Sequence, residues 1–481
     1  MLRILVSLWR LILPLIVLMV GWGFVVDAIL EQSAWNRPVL DNAWKTMGYA
    51  GLLVALFFVG LVLSWNGAAL VYRVTRGRPR ATVHPPAARQ TGAGSLLATY
   101  HRIGIILAGG GAKGAYQAGA MRAIWEFLEE HGALERVRMV AGTSIGAWNA
   151  MFWMAGLVRP SGPGDESAHE AWWRAVKPER ILDFDWYIPF CRNHLARPTP
   201  WRQAFRRLFV EDAVVRDQIA RLFSIRPVGQ DPAAARQGPL HFYLTRSNVK
   251  HALLEFTTNS WGMADLQRTD ASSGLRVPVV KPALYEVLDG SKPDQALREL
   301  EDAVFASMDI PPVFPYVGMP NKAGEQEWFE DGGVIENLPL FFGTAIEQCD
   351  LLFVLPLNAS FDADVNHHSI LARLSRVMET RQGVIERNAF KQAYLYNNLA
   401  GLTGKPQVRV FAICPAGTLD VGTIDFHKPR AAGAAYRLMY EQTARLLRQD
   451  VPTLNPHWIR LATVAVDAAT NEPIIDYVDD F

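Results

Sequence analysis

Cysteine is nearly absent from this sequence: three in 481 residues, at Cys191, Cys349 and Cys414. An odd number so widely spaced excludes a disulfide framework and a cysteine-rich metal site, and fits a reducing compartment. Net charge is equally sparse at +1. The chain as a whole therefore offers no basic field for nucleic acid, and no such partner is expected. The histidines lack ligand spacing with acidic neighbours, and the adjacent His367 and His368 read as surface residues near a helix start. No metal and no cofactor are expected. With 20 % charged and 50 % hydrophobic residues, the chain is neither disordered nor uniformly embedded in a membrane. Its length allows one large domain with attachments, or two domains.

What is present is organised around residues 103–155. A short β-branched run at 103–108 suits a buried parallel strand, and it ends in Gly109-Gly110-Gly111-Ala112-Lys113-Gly114. Consecutive glycines let backbone N–H groups converge, and the helix expected at 116–131 adds its positive end at the same place. A second apolar run at 137–141 leads into Gly142-Thr143-Ser144-Ile145-Gly146, a G-x-S-x-G spacing that suits a sharp strand-to-helix turn presenting a serine Oγ. Ser144 is the candidate nucleophile; the bland alternative is a small-residue turn before an apolar helix. Two nucleotide readings of the glycine loop fail on what is missing. A dinucleotide site wants an acidic residue closing the second strand, where Met139, Val140, Ala141 and Gly142 stand. A phosphate loop wants Ser or Thr after its lysine, where Lys113 precedes Gly114. One crossover helix joins the two motifs, so the loop reads best as backbone donors for charge that develops when Ser144 attacks an ester.

In this order, Gly109 to Gly114, Gly142 to Gly146 and Asp331-Gly332-Gly333 resemble the three motifs of the patatin-like phospholipases, over about residues 102–345. Ala306-Ser307 and the proline-rich run from Pro311 to Pro315 resemble a further family segment that packs beneath the catalytic loop. Alone, Asp-Gly is more often a hairpin turn than a base. The resemblance implies a three-layer α/β/α domain with a mostly parallel central sheet. It also implies a Ser-Asp dyad with Ser144 as nucleophile and Asp331 as base, and an oxyanion loop of Gly109, Gly110 and Gly111. Gly114, Gly142, Gly146, Gly332 and Gly333 complete the motifs.

Elsewhere in the chain, two long apolar runs, at about 4–26 and 47–72, are expected to form a transmembrane hairpin. Arg3 before it and Arg10 near the start of the first run, where it can snorkel to the interface, together with Arg73, Arg76, Arg78, Arg80 and Arg89 after it, put both ends on the cytoplasmic side. Residues 74–101 read as a basic Pro/Ala-rich linker. An aromatic-rich insertion at about 156–240 reads as a cap, with its aromatics in the core of that cap or touching a bilayer. Strands and helices in 346–450 are expected to complete the α/β domain, and 451–481 reads as an acidic tail. The expected function is that of a membrane-anchored serine lipid acyl hydrolase, with membrane lipids as both substrate and surroundings. Two rivals stand beside it. One is an esterase with a Ser-Asp-His triad drawing on His367, His368 or His427; the other is a tethered binding protein without catalysis.

Overall fold

The computed structural model describes residues 97–478 except 98–99, 163–164, 185–193, 195, 224–239, 270–275, 312, 322, 358–369, 404–406, 416–420, 424–425, 427, 451–458 and 467–472. Both expected membrane spans and most of the linker lie outside the described residues. Among the described residues, no helix is long and apolar enough to cross a membrane.

A sheet of eleven described strands, most of them paired in parallel, forms the middle of the domain. Strand β1 (Ile103–Leu107) lies between β2 (Val137–Gly142) and β8 (Leu351–Leu355), with Ile105 opposite both Val140 and Phe353. All five β1 residues are buried. Alternation along these strands shows why: Ile103, Ile105, Leu107, Leu351 and Phe353 join one hydrophobic core, while Ile106, Leu352 and Val354 join another on the opposite face. A sheet with a core on each face needs helices on both. The first core is covered by α1 (Gly114–Glu130), α2 (Ile145–Met154), α5 (Pro293–Ser307) and α7 (Pro429–Asp450), the second by α6 (Ile370–Thr403). The result is the expected α/β domain.

Trp173, Trp201, Phe205, Phe209 and Phe223 of the insertion belong to the first core, and Trp172 packs against it. Trp173 of α3 (Ala168–Ala175) and Trp201 of α4 (Thr199–Phe209) are 0 % and 2 % exposed. Trp148 of α2 meets Trp201 edge-on at 5.4 Å and Phe209 at 5.7 Å. Trp186, Tyr187, Ile188 and Phe190 lie outside the described residues.

Strand β3 (His241–Asn248) positions the site. One of its edges pairs along its length with β4 (Leu253–Thr258), which continues to β5 (Tyr285–Val287). Its other edge is shared. Residues 241–244 take β2 in parallel, as far as Leu244 opposite Gly142, and residues 246–248 take β7 (Gln326–Asp331) antiparallel, starting with Arg246 opposite Asp331. Strands β2 and β7 therefore run towards each other and end two β3 residues apart, roughly 7 Å at strand rise. Strand β6 (Val317–Pro320) borders β7.

Beyond β8 the sheet continues through β9 (Arg409–Pro415), β10 (Ile459–Val466) and β11 (Pro473–Val478). The reading of 451–481 as an acidic tail is thereby corrected. Five acidic residues, Asp467, Glu472, Asp476, Asp479 and Asp480, against Arg460 make the segment net acidic, but Ile459, Leu461, Thr463 and Val464 form a ladder with β9, and Ile474 and Ile475 pair back onto β10. Strand pairing overrides net acidity here.

Candidate active site

Two residues beyond β2 the backbone turns sharply, and Ser144 sits at φ 54°, ψ −125°. A β-carbon in this region costs about 1–3 kcal/mol, so neighbours must hold it there. Ser144 N–H donates to Ser307 Oγ at 2.9 Å, Thr143 N–H to the Leu107 carbonyl at 3.1 Å, and the Thr143 and Thr245 hydroxyls share a 2.7 Å hydrogen bond. The turn also brings Gly146 against β1, where a Cβ would lie 2.3 Å from the Leu107 carbonyl oxygen; only glycine fits. Helix α2 starts at the next residue after the serine, which places Ser144 at its positive end.

The carboxyl of Asp331 arrives from the opposite direction at the end of β7. Ser144 Oγ donates to Asp331 Oδ2 at 2.5 Å, and Gly333 N–H donates to Oδ1 at 2.7 Å. The Asp331 backbone is pinned as well: its N–H donates to the Asp309 carbonyl at 2.8 Å, and Ser247 Oγ donates to its carbonyl at 2.9 Å. Ser144 and Asp331 are 4 % and 6 % exposed. Burial pushes the Asp331 carboxyl up to about 7, against the smaller downward pull of the Ser144 hydroxyl and the Gly333 N–H. A carboxyl balanced near neutrality can receive a proton and return it.

The glycine loop closes the other side. Gly109 packs directly against the serine, since a Cβ there would lie 2.9 Å from Ser144 Cβ. Its N–H donates to the Asn337 carbonyl at 3.3 Å, and Asn337 Nδ2 donates back to the Gly109 carbonyl at 3.3 Å. Gly111 adopts φ +58°, and Ala112 N–H donates to the Thr423 carbonyl at 2.8 Å. The N–H groups of Gly110 and Gly111 have no acceptor among the described residues. Gly114 heads α1, its carbonyl accepting from Asn149 Nδ2 at 3.0 Å. Gly142 ends β2, and Gly332 backs onto Thr245.

Of the motif residues expected from the sequence, the structure brings Asp331 and Gly109 against Ser144, with Gly333 holding the Asp331 carboxyl. Three contributors were not assigned a role from sequence: Ser307 as acceptor for the Ser144 N–H, Asn337 as brace of the glycine loop, and Asp309. Ser307 did carry a signal, in the Ala306-Ser307 pair ahead of the prolines. Asn337 had none, because its role depends on packing. Asp309 is 2 % exposed with neither carboxyl oxygen in a well-formed hydrogen bond. Burial and the neighbouring Asp331 and Glu330 carboxylates push it up to about 9, so it is neutral at pH 7. His367, His368 and His427 lie outside the described residues.

Fold and site together define a class: α/β proteins in which a serine on a strand-to-helix elbow shares a short hydrogen bond with an aspartate delivered by an opposing strand. Residues 105–342 match the family model described as patatin-like phospholipase, and this part of the chain is a patatin-like α/β domain. The match supports lipid acyl hydrolysis as its chemistry. Similar solved structures include VipD from Legionella pneumophila, at 15 % identity over 72 % of this chain and 67 % of that one, TM-score 0.31. Another is the type III effector protein ExoU, at 12 % identity over 73 % of this chain and 54 % of that one, TM-score 0.25. At such scores the two likenesses say nothing further about this chain. No curated protein matches it.

Proposed function

We propose that this chain is a membrane-anchored serine lipid acyl hydrolase of phospholipase A or lysophospholipase type, working with a Ser144–Asp331 dyad. The observation that carries the reading is the 2.5 Å hydrogen bond from Ser144 Oγ to Asp331 Oδ2, with Gly333 N–H fixing the other carboxyl oxygen. A serine hydroxyl is a weak nucleophile until a neighbour accepts its proton. As Ser144 Oγ adds to the lipid ester carbonyl, Asp331 takes that proton, and the oxyanion forms beside the unengaged N–H groups of Gly110 and Gly111. Gly109 has its N–H turned to Asn337, so in this reading it shapes the loop rather than donating. The protonated Asp331 returns its proton to the departing lysolipid or alcohol oxygen, leaving an acyl ester on Ser144. A water that gives a proton to Asp331 then attacks this ester, and collapse of the second tetrahedral adduct returns the proton to Ser144 Oγ and releases the fatty acid.

In this account the two apolar runs at about 4–26 and 47–72 span the membrane, residues 74–101 tether, and the α/β domain works on the cytoplasmic side. Anchoring favours lipid over soluble esters by raising the local concentration of bilayer substrate. The test is fatty-acid release from phosphatidylglycerol and lysophospholipid by wild type and Ser144→Ala. Release by wild type alone supports the reading; equal release by both overturns it.

A further inference from the structure

Helix α6 is built inside out. Its buried residues are mostly small or polar, Gly383, Glu386, Ala389, Ala393, Asn397 and Ala400, with Phe390 the one large apolar side chain buried among those described and Tyr396 packed half-buried against the second core. Its outward face carries Val377, Val384, Leu395, Leu399 and Leu402, at 65, 42, 57, 62 and 84 % exposure. An ordinary surface helix turns its bulk inward. These five form one stripe: residues 377 and 395, and residues 384 and 402, are eighteen apart, which is five whole turns. Charge on the described outward side is of one sign, with Arg381, Arg387 and Lys391 exposed and no exposed acidic residue among those described between 377 and 402. The helix also touches the segment that follows Asp331 and, through Asn337, reaches the glycine loop. Arg381 Nη2 donates to the Val334 carbonyl at 2.6 Å, and Glu386 accepts at 2.6 Å from Asn337, which braces Gly109.

We propose that the outward face of α6 docks on a lipid bilayer with anionic headgroups, the leucines and valines entering the acyl boundary and the arginines and lysine meeting lipid phosphates. Apolar bulk on one face with a basic fringe is the pattern of helices that lie in a membrane interface. A second copy is a poorer occupant, because a two-fold pairing of this face would set the same three cations against themselves. Docking here seats the bilayer beside the Ser144 loops, and the proposal rests on the hydrolase reading above for its purpose. It adds where the substrate surface lies.

The test uses the full chain with Cys191→Ser, labelled with an environment-sensitive fluorophore at Leu395→Cys, Leu402→Cys or, as control, Val214→Cys, where the wild-type valine is 77 % exposed. In phosphatidylglycerol vesicles carrying bromine on the acyl chains, labels at 395 and 402 are expected to be quenched about twofold or more, and the label at 214 not at all. No quenching at 395 and 402, whether water, residues 1–96 or a second copy covers them, overturns the proposal. Quenching as strong in neutral phosphatidylcholine overturns the anionic assignment. If the labels at 395 and 402 are quenched yet the unlabelled wild-type chain hydrolyses neither vesicle phospholipid nor a soluble ester, docking stands and the hydrolase reading fails. The converse result separates the two in the other direction.

Discussion

Replacing Asp331 with asparagine is expected to abolish hydrolysis while making the protein more stable above neutral pH. The carboxyl is raised from 3.8 to about 7, chiefly by burial. In the unfolded chain it ionises near its ordinary value. Below about pH 4 both states carry the acid form and the group contributes no difference. Between about pH 4 and 7 the unfolded chain gives up its proton and the folded one keeps it, so stability falls as pH rises. Above pH 7 the folded state holds a desolvated carboxylate at a cost of about 4 kcal/mol, from about 1.4 kcal/mol per tenfold change in proton affinity. The neutral amide of Asp331→Asn removes that cost and can still accept from Gly333 N–H. Denaturant unfolding of both proteins at pH 4.5 and pH 8 measures the difference, which should be small at the lower pH and favour the variant by a few kcal/mol at the higher. Wild-type hydrolysis should rise with pH through about 7 as Asp331 becomes a carboxylate, and fall about a thousandfold or more in the variant. Equal stability at both pH values would refute the desolvation argument. Retained hydrolysis would remove Asp331 from the chemistry.

Ser307→Ala deprives the buried Ser144 N–H of its acceptor; the expected loss is about 1–3 kcal/mol in unfolding free energy, with kcat lowered more than KM is raised. Gly111→Ala puts a methyl group 2.0 Å from the Thr423 carbonyl at φ +58°, so hydrolysis should drop about a hundredfold or more, read on a soluble ester by a purified, folded variant. His367→Ala, His368→Ala and His427→Ala should each retain hydrolysis; loss in any one, with circular dichroism unchanged, would favour the triad.

The first half of the site was legible in the sequence because it is local. Residues 103–155 hold strand, glycine loop, helix, strand and serine turn in unbroken order, and each piece has its own periodicity. Asp331 lies 187 residues from Ser144, and only resemblance picked it out of an ordinary Asp-Gly pair. What brings it home is the division of one β3 edge between β2 and β7, a register that residue patterns do not encode. The same reasoning explains Asn337, whose side chain joins Gly109 to Glu386 across three separate segments. The strands at 459–466 and 473–478 were passed over because the excess of acidic over basic residues in 451–481 was weighed above the apolar runs that pair onto the sheet. The outward leucines of α6 escaped notice for a related reason: an apolar period of 3.6 says that a helix has a face, not which way it points.

The central claim is that Asp331 activates Ser144 for attack on an acyl group. Treating the full chain with a fluorophosphonate and mapping the modified peptide tests it most directly. The account predicts one adduct, on Ser144, absent in Ser144→Ala and formed far more slowly in Asp331→Asn. An adduct on another serine, or labelling of Ser144 at an undiminished rate in Asp331→Asn, would contradict it.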